Sequence, residues 1–286
     1  MLHLELETTM PKKVIQVYKN FDQWTNSPPG LGDFIRGCCH LHEMLSKVNI
    51  EFKIDISQSD FSHHILHNPN VFSTQNATDI THAAEYFTDH NLLINDLNQF
   101  LQNDKECFFV CTNIGNWNRL ELPEATKAFM LNFFNFKDTV SSYVSSHIPL
   151  ASYEVLSIRC GDRFYGEANL GLDAQLEQHI FQMIEQSILP NLKHPLVVTS
   201  DSFRLKSELA EKYGFLMLPH HSEHGAFNSS AYPVCLDMCL LKNSKFNYHI
   251  NLWANWWSGF SHYTSLVFSI PSMNFRAPEF VREVLS

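Results

Sequence analysis

The sequence predicts an α/β protein of two domains, each built on a mainly parallel sheet, with the two sheets facing across a cleft. Three observations carry this. At 286 residues the chain exceeds what one small core accommodates and suits two domains of roughly 100–150 residues. Strand-like apolar runs alternate with amphipathic helix-like runs, and the alternation restarts at Tyr153. Strand after strand ends in small or polar residues, as ligand loops do at the carboxyl edge of a parallel sheet. The boundary falls near residue 150, giving domains over 1–150 and 151–286.

In the first half, VIQVY (14–18) reads as a strand, NSPPGLGD as a loop, FIRGCCHLHEMLSKV as a helix and IEFKIDI (50–56) as a second strand, which is βαβ logic. Residues 57–90, rich in His, Asn, Ser and Asp, read as loops and short helices. INDLNQFLQND then reads as a helix, ECFFVCT (106–112) as a buried strand, and PEATKAFMLNFFNF as a helix with Pro at its first turn. The second half continues with YEVLSIR as strand, AQLEQHIFQMIEQSI as a long helix, HPLVVTSD as strand and SFRLKSELAEKYG as a helix closed by Gly214. FLMLP is a strand, CLDMCLLKN helical, FNYHINL a strand, and a last helix begins around His262.

Hydrophobic content of 44% supports folded cores and argues against disorder. A net charge of −10, from 20 basic and 30 acidic residues, supplies no field for nucleic acid or anionic lipid. Seven cysteines without a CxxC pair fit a reducing compartment. The start MLHLELETTMPKK lacks the apolar run of a signal peptide, and no window approaches 18 apolar residues. The expectation is a soluble cytoplasmic protein, bacterial or from a virus acting in its host's cytoplasm, without membrane insertion or nucleic-acid partner.

Four stretches could carry chemistry. In PPGLGDFIRG (28–37), Gly30 and Gly32 precede a helix whose N-terminal amides could face an anion, with Arg36 one turn further on; a tight turn capped by Asp33 explains the same residues. It is no dinucleotide fingerprint, because Ile35 stands where GxGxxG needs glycine. In LSIRCGDRFYGE (156–167), Arg159 ends a buried strand and brings a planar charged fork to the sheet edge, suited to phosphate oxygens, with Asp162 bracing the loop or Arg159 itself. The alternative there is a plain Arg159–Asp162 surface pair. In LVVTSDSF (196–203), Ser200, Asp201 and Ser202 could bond a ribose or base, or Asp201 or Ser202 could simply cap the next helix. In NLWANWWSGFSHYTSL (251–266), the turn Ser258, Gly259, Phe260, Ser261 opens a helix where hydroxyls and amides can converge on phosphate. The clusters HHILH (63–67) and HHSEH (220–224) match no metal-site spacing and read as solvated loops, and the sequence contains no DxD. No metal site and no cofactor are expected.

Taken in order from about residue 28 to 270, GLGDFIRG, SIRCGDR, VVTSDSF and SGFSHYTSL resemble the motifs of the fucosyltransferase-type GT-B glycosyltransferases, a superfamily of α1,2-, α1,6- and protein O-fucosyltransferases. The resemblance implies a GT-B-like fold of two Rossmann-like domains, acceptor-side over 1–150 and nucleotide-sugar-binding over 151–286. It implies that Arg159 holds the donor's β-phosphate, that Ser200 and Asp201 read the nucleoside, and that Ser258 and Ser261 flank the diphosphate. Glu167, five residues after Asp162, takes by the same resemblance the place of the catalytic base. Two departures bear on the donor: Ser157 stands where the family often has His, and Cys160 where many members carry a second Arg. One cation fewer opens the donor to GDP- or UDP-linked deoxysugars or pentoses such as xylose, besides GDP-fucose. The implied reaction is inverting, metal-independent transfer to a glycan hydroxyl. A nucleotide-dependent oxidoreductase or epimerase, or a non-catalytic sugar-binding protein, remains open at this level.

Overall fold

The computed structural model describes residues 12–18, 30–48, 50–57, 59–66, 90–116, 119–161, 174–221, 230–252 and 258–276. Among these, eight strands form two parallel sheets. The first is ordered β2-β1-β3, from β1 (Lys13–Val17), β2 (Glu51–Asp55) and β3 (Cys107–Val110). The second is ordered β6-β5-β4-β7-β8, from β4 (Glu154–Arg159), β5 (Leu196–Ser200), β6 (Leu216–Met217), β7 (Asn247–Asn251) and β8 (Ser272–Arg276). Every residue of β5 and β7 is buried, as expected of strands covered by helices on both faces.

The helices are α1 (Leu31–Ser46), α2 (His90–Gln102), α3 (Glu124–Phe133), α4 (Asp138–His147), α5 (Ala174–Met183), α6 (Phe203–Tyr213), α7 (Tyr232–Lys242) and α8 (Gly259–Phe268). α5 runs on through a wide turn, Ile184–Ile188, and a tighter one, Leu189–Asn191. Gly214 closes α6 at φ 69°, a left-handed position open to glycine without strain. α1 and α8 each begin three residues earlier than their apolar periodicity suggests, because a glycine interrupts the apolar pattern in each first turn. α4 and β8 are additions to the predicted set. Ser-rich DTVSSYVSSH buries only Val140 and Val144, and SMNFR becomes a strand only by pairing with β7. Among the described residues no helix is long and apolar enough to cross a membrane.

The two faces of the second sheet bury against different partners. Leu156, Ile158, Val198 and Ile250 pack on α5 and α6 through Ile180, Ile184, Leu205 and Leu209. On the other face Val155 and Val197 join a larger core, in which Leu240, Tyr263 and Val267 of α7 and α8 meet Phe34, Ile35 and Val144 of α1 and α4. This core spans residue 150, so helices from the second half fasten it to the first. Asp60, in a short turn Asp60–His63, adds a polar tie by accepting from Ser230 Oγ at 3.0 Å and the Ala231 amide at 2.8 Å. The same carboxylate takes His63 and His64 at 3.0 and 3.1 Å, so the described part of HHILH has a structural partner and is more than a solvated loop.

A polar layer lies between β7 and α8. Asn247 donates to Ser265 Oγ at 2.9 Å, and His249 Nε2 lies 3.1 Å from the same hydroxyl. Burial pulls His249 down from 6.5 to about 3 and His262 to about 4. In the unfolded chain both imidazoles protonate near 6.5, so below that pH the unfolded state binds more protons and stability falls as acid is added. At pH 5 each neutral imidazole withholds about 2 kcal/mol relative to neutral pH. Urea unfolding at pH 7.5 and pH 5 should show this loss, and His249→Asn should remove the part due to His249, about 2 kcal/mol. A pH-independent midpoint in the parent chain would contradict the assignment.

Candidate functional site

In the second sheet the strand order reverses between β4 and β7, and in parallel sheets the crevice outside such a reversal is where ligands bind. Arg159, the last residue of β4, stands there in register with Asn251, the last of β7. Its Nη1 donates to Asp201 Oδ2 at 2.5 Å. Asp201, the first residue after β5, also accepts from the amides of Cys160 at 2.7 Å and Gly161 at 2.9 Å. Gly161 has φ 105°, a conformation that disfavours any side chain, and it turns both amides onto one carboxylate. Asp201 keeps 7% of its side chain exposed and Arg159 28%, so the acidic side of the pair is the more deeply buried.

Asp201 thus braces Arg159 and the end of β4 through its carboxylate. Its neighbours are engaged as well. Ser200 Oγ accepts from the Ser202 amide at 3.1 Å and lies 3.7 Å from Cys160 Sγ, while Ser202 Oγ caps α6 by accepting from the Leu205 amide at 3.3 Å. Both serines are buried. The Ser200, Asp201 and Ser202 side chains, expected to read a nucleoside, each have a partner within the fold. Asp162 and Glu167 lie outside the described residues.

A second feature joins the two halves, the junction of α1 with α8. A Cβ on Gly32 would sit 2.0 Å from the Phe260 amide nitrogen, and one on Gly259 3.1 Å from the Gly32 carbonyl carbon. The first turns of α1 and α8 thus meet backbone to backbone, which only glycine at position 32 permits. Neither turn has a side-chain cap: Gly30 precedes α1, and Ser258 precedes α8 without bonding its amides. Uncapped amides at two adjoining helix N-termini suit an anion. Ser258, Gly259 and Phe260 are half-buried at this junction, whereas Ser261 is buried.

Arg36, expected at the diphosphate, is instead fully buried at 0% exposure. Its Nε donates to the Asn113 carbonyl at 2.6 Å and its Nη1 lies 2.9 Å from Asp33, with Gly115 leaving room for its stem. Arg36 holds the loop after β3. α8 holds the same loop from the other side: Tyr263 donates its hydroxyl to the Asn116 carbonyl at 2.6 Å, and His262 Nε2 donates to the Arg119 carbonyl at 2.7 Å. Arg119 in turn pairs with Glu43 of α1 and pulls that carboxyl below its ordinary range.

A second buried cluster escaped the sequence reading. Lys206 of α6, fully buried, donates to the carbonyls of Leu218 at 3.0 Å and His220 at 2.6 Å. Burial pulls its ammonium down and Asp237 of α7 opposes this. His220 Nε2 lies 3.2 Å from Asp237, so the start of HHSEH is packed rather than solvated. Only the reach of these side chains across 12 to 17 residues shows it, which no local pattern encodes. Among the described residues no three His, Cys, Asp or Glu side chains are grouped to hold a metal ion.

No protein-family model matches the sequence, and no curated protein does. Solved structures do match. NodZ alpha-1,6-fucosyltransferase soaked with GDP-fucose superposes with a TM-score of 0.57 at 14% identity, over 93% of this chain and 95% of that one. The same enzyme co-crystallized with GDP gives 0.58 at 14% identity, over 93% and 96%. Fucosyltransferase NodZ from Bradyrhizobium gives 0.57 at 14%, over 93% and 96%. The GT-B-like fold expected from the sequence is therefore the fold of this chain.

Gly32→Ala forces α1 and α8 apart at their closest approach, an overpacking that costs about 1–3 kcal/mol. Thermal unfolding should show a lowered midpoint for Gly32→Ala, and an unshifted midpoint would contradict the described contact.

Proposed function

We propose that the chain is an inverting glycosyltransferase, moving fucose or another deoxysugar or pentose from a GDP- or UDP-linked donor to a glycan hydroxyl. One observation carries this reading: the Arg159 guanidinium is pinned by Asp201 at the switch point of the second sheet. The fold is shared with NodZ, an enzyme with GDP and GDP-fucose complexes, which supports a nucleotide-sugar donor here.

Charge decides how the site works. When the glycosidic bond breaks, negative charge builds on the departing diphosphate, and groups fixed in advance around it lower the barrier. A guanidinium already paired with a carboxylate cannot balance that charge alone. Two helix N-termini each add roughly half a positive charge, directed by backbone that needs no reorganisation. Arg159 and the first turns of α1 and α8, with the Ser258 hydroxyl, would together replace a divalent ion, in keeping with the lack of a DxD sequence. Glu167, from its spacing to Asp162, is proposed to take the acceptor's proton.

A hydrolysis and transfer panel of GDP-, UDP- and dTDP-sugars tests the reading, and turnover with none of them would end it. With the active donor, Arg159→Ala should lower kcat by about 100-fold or more while the fold persists. Unchanged turnover in that variant would contradict the central role of Arg159. Chelation with EDTA should leave turnover intact, and loss restored by Mg²⁺ would refute the metal-independent mechanism.

A further inference from the structure

Ser200, Asp201 and Ser202 have partners inside the fold, and groups beside them lie nearer to solvent. The next residue is Phe203, the first of α6. The His221 ring lies nearly parallel on the Phe203 ring, with centroids 4.1 Å apart and planes 24° from each other. Lys206 Nζ lies 5.3 Å from the Phe203 centroid, and its bonds to the Leu218 and His220 carbonyls tie the segment leading to His221 onto α6. The His220–Asp237 bond fixes that segment from α7. The stack is thus held from two helices, yet it is outside both cores: Phe203 is half-buried and His221 exposed.

Its place in the sheet matters. Phe203 follows β5 and His221 follows β6, both at the carboxyl edge that Arg159 shares. The order β6-β5-β4 sets β6 two strand spacings, roughly 10 Å across the sheet, from β4; Met217 is level with Leu156, and four further residues carry the chain from there to His221. A ribose and a phosphate bridge such a distance. A nucleotide with its diphosphate at Arg159 is long enough to span the sideways offset to the stack.

We propose that Phe203 and His221 form a platform on which the donor's nucleobase stacks, a purine best because its face is larger. This rests on the nucleotide-sugar reading above. Aromatic stacking recognises the π-face that every base has, and removing a stacking ring weakens binding by about five-fold or more.

Calorimetric titration of the full chain with GDP, UDP and inorganic pyrophosphate tests the platform. His221→Ala should weaken GDP by at least about five-fold and UDP by less, leave pyrophosphate unchanged, and be rescued for GDP by His221→Tyr. GDP affinity equal to the parent's in His221→Ala overturns the platform alone, as does an equal loss for pyrophosphate. A parent chain that binds neither nucleotide overturns the glycosyltransferase reading and the platform together.

Discussion

One carboxylate organises the edge of the second sheet. Asp201 gathers the Arg159 guanidinium and the amides of Cys160 and Gly161, three donors from the end of a single neighbouring strand. Because Asp201 is almost fully buried, these bonds are obligatory: a buried carboxylate lacking its donors bears the full cost of lost hydration. The demand explains the left-handed turn at Gly161, and it holds a long, flexible arginine in one direction at the point where the strand order reverses. A charge held still before the ligand arrives does not have to be ordered during the reaction.

The junction of α1 and α8 depends on a different constraint, the close approach of two glycine-containing turns. α8 presents its first turn beside α1 and uses its second turn, through His262 and Tyr263, to hold the loop after β3. A single helix thus touches both the junction with α1 and a loop of the first half. The large core shared by α1, α4, α7 and α8 makes this arrangement one packed unit rather than two halves leaning on a linker.

Much of this architecture was legible in the sequence, because apolar periodicity is local and each half repeats strand and helix. α4 and β8 were not legible, since serine-rich or short polar segments acquire their structure from neighbours. Arg159 could be found as the charged end of an apolar run. Its partner could not: Asp201 lies 42 residues away, and only the strand order brings it alongside. Arg36 shows the complementary failure. Its position one turn into a helix says nothing about which way it faces, and it faces Asn113. The clusters HHILH and HHSEH were read by spacing alone, while their partners Asp60 and Asp237 are set by tertiary packing.

The account turns on where a leaving diphosphate would rest. A crystal structure of the chain with GDP measures that directly. It should show β-phosphate oxygens within hydrogen-bond reach of both the Arg159 guanidinium and the amides opening α8, with Arg159 still bonded to Asp201. A well-occupied GDP whose phosphates touch neither would contradict it.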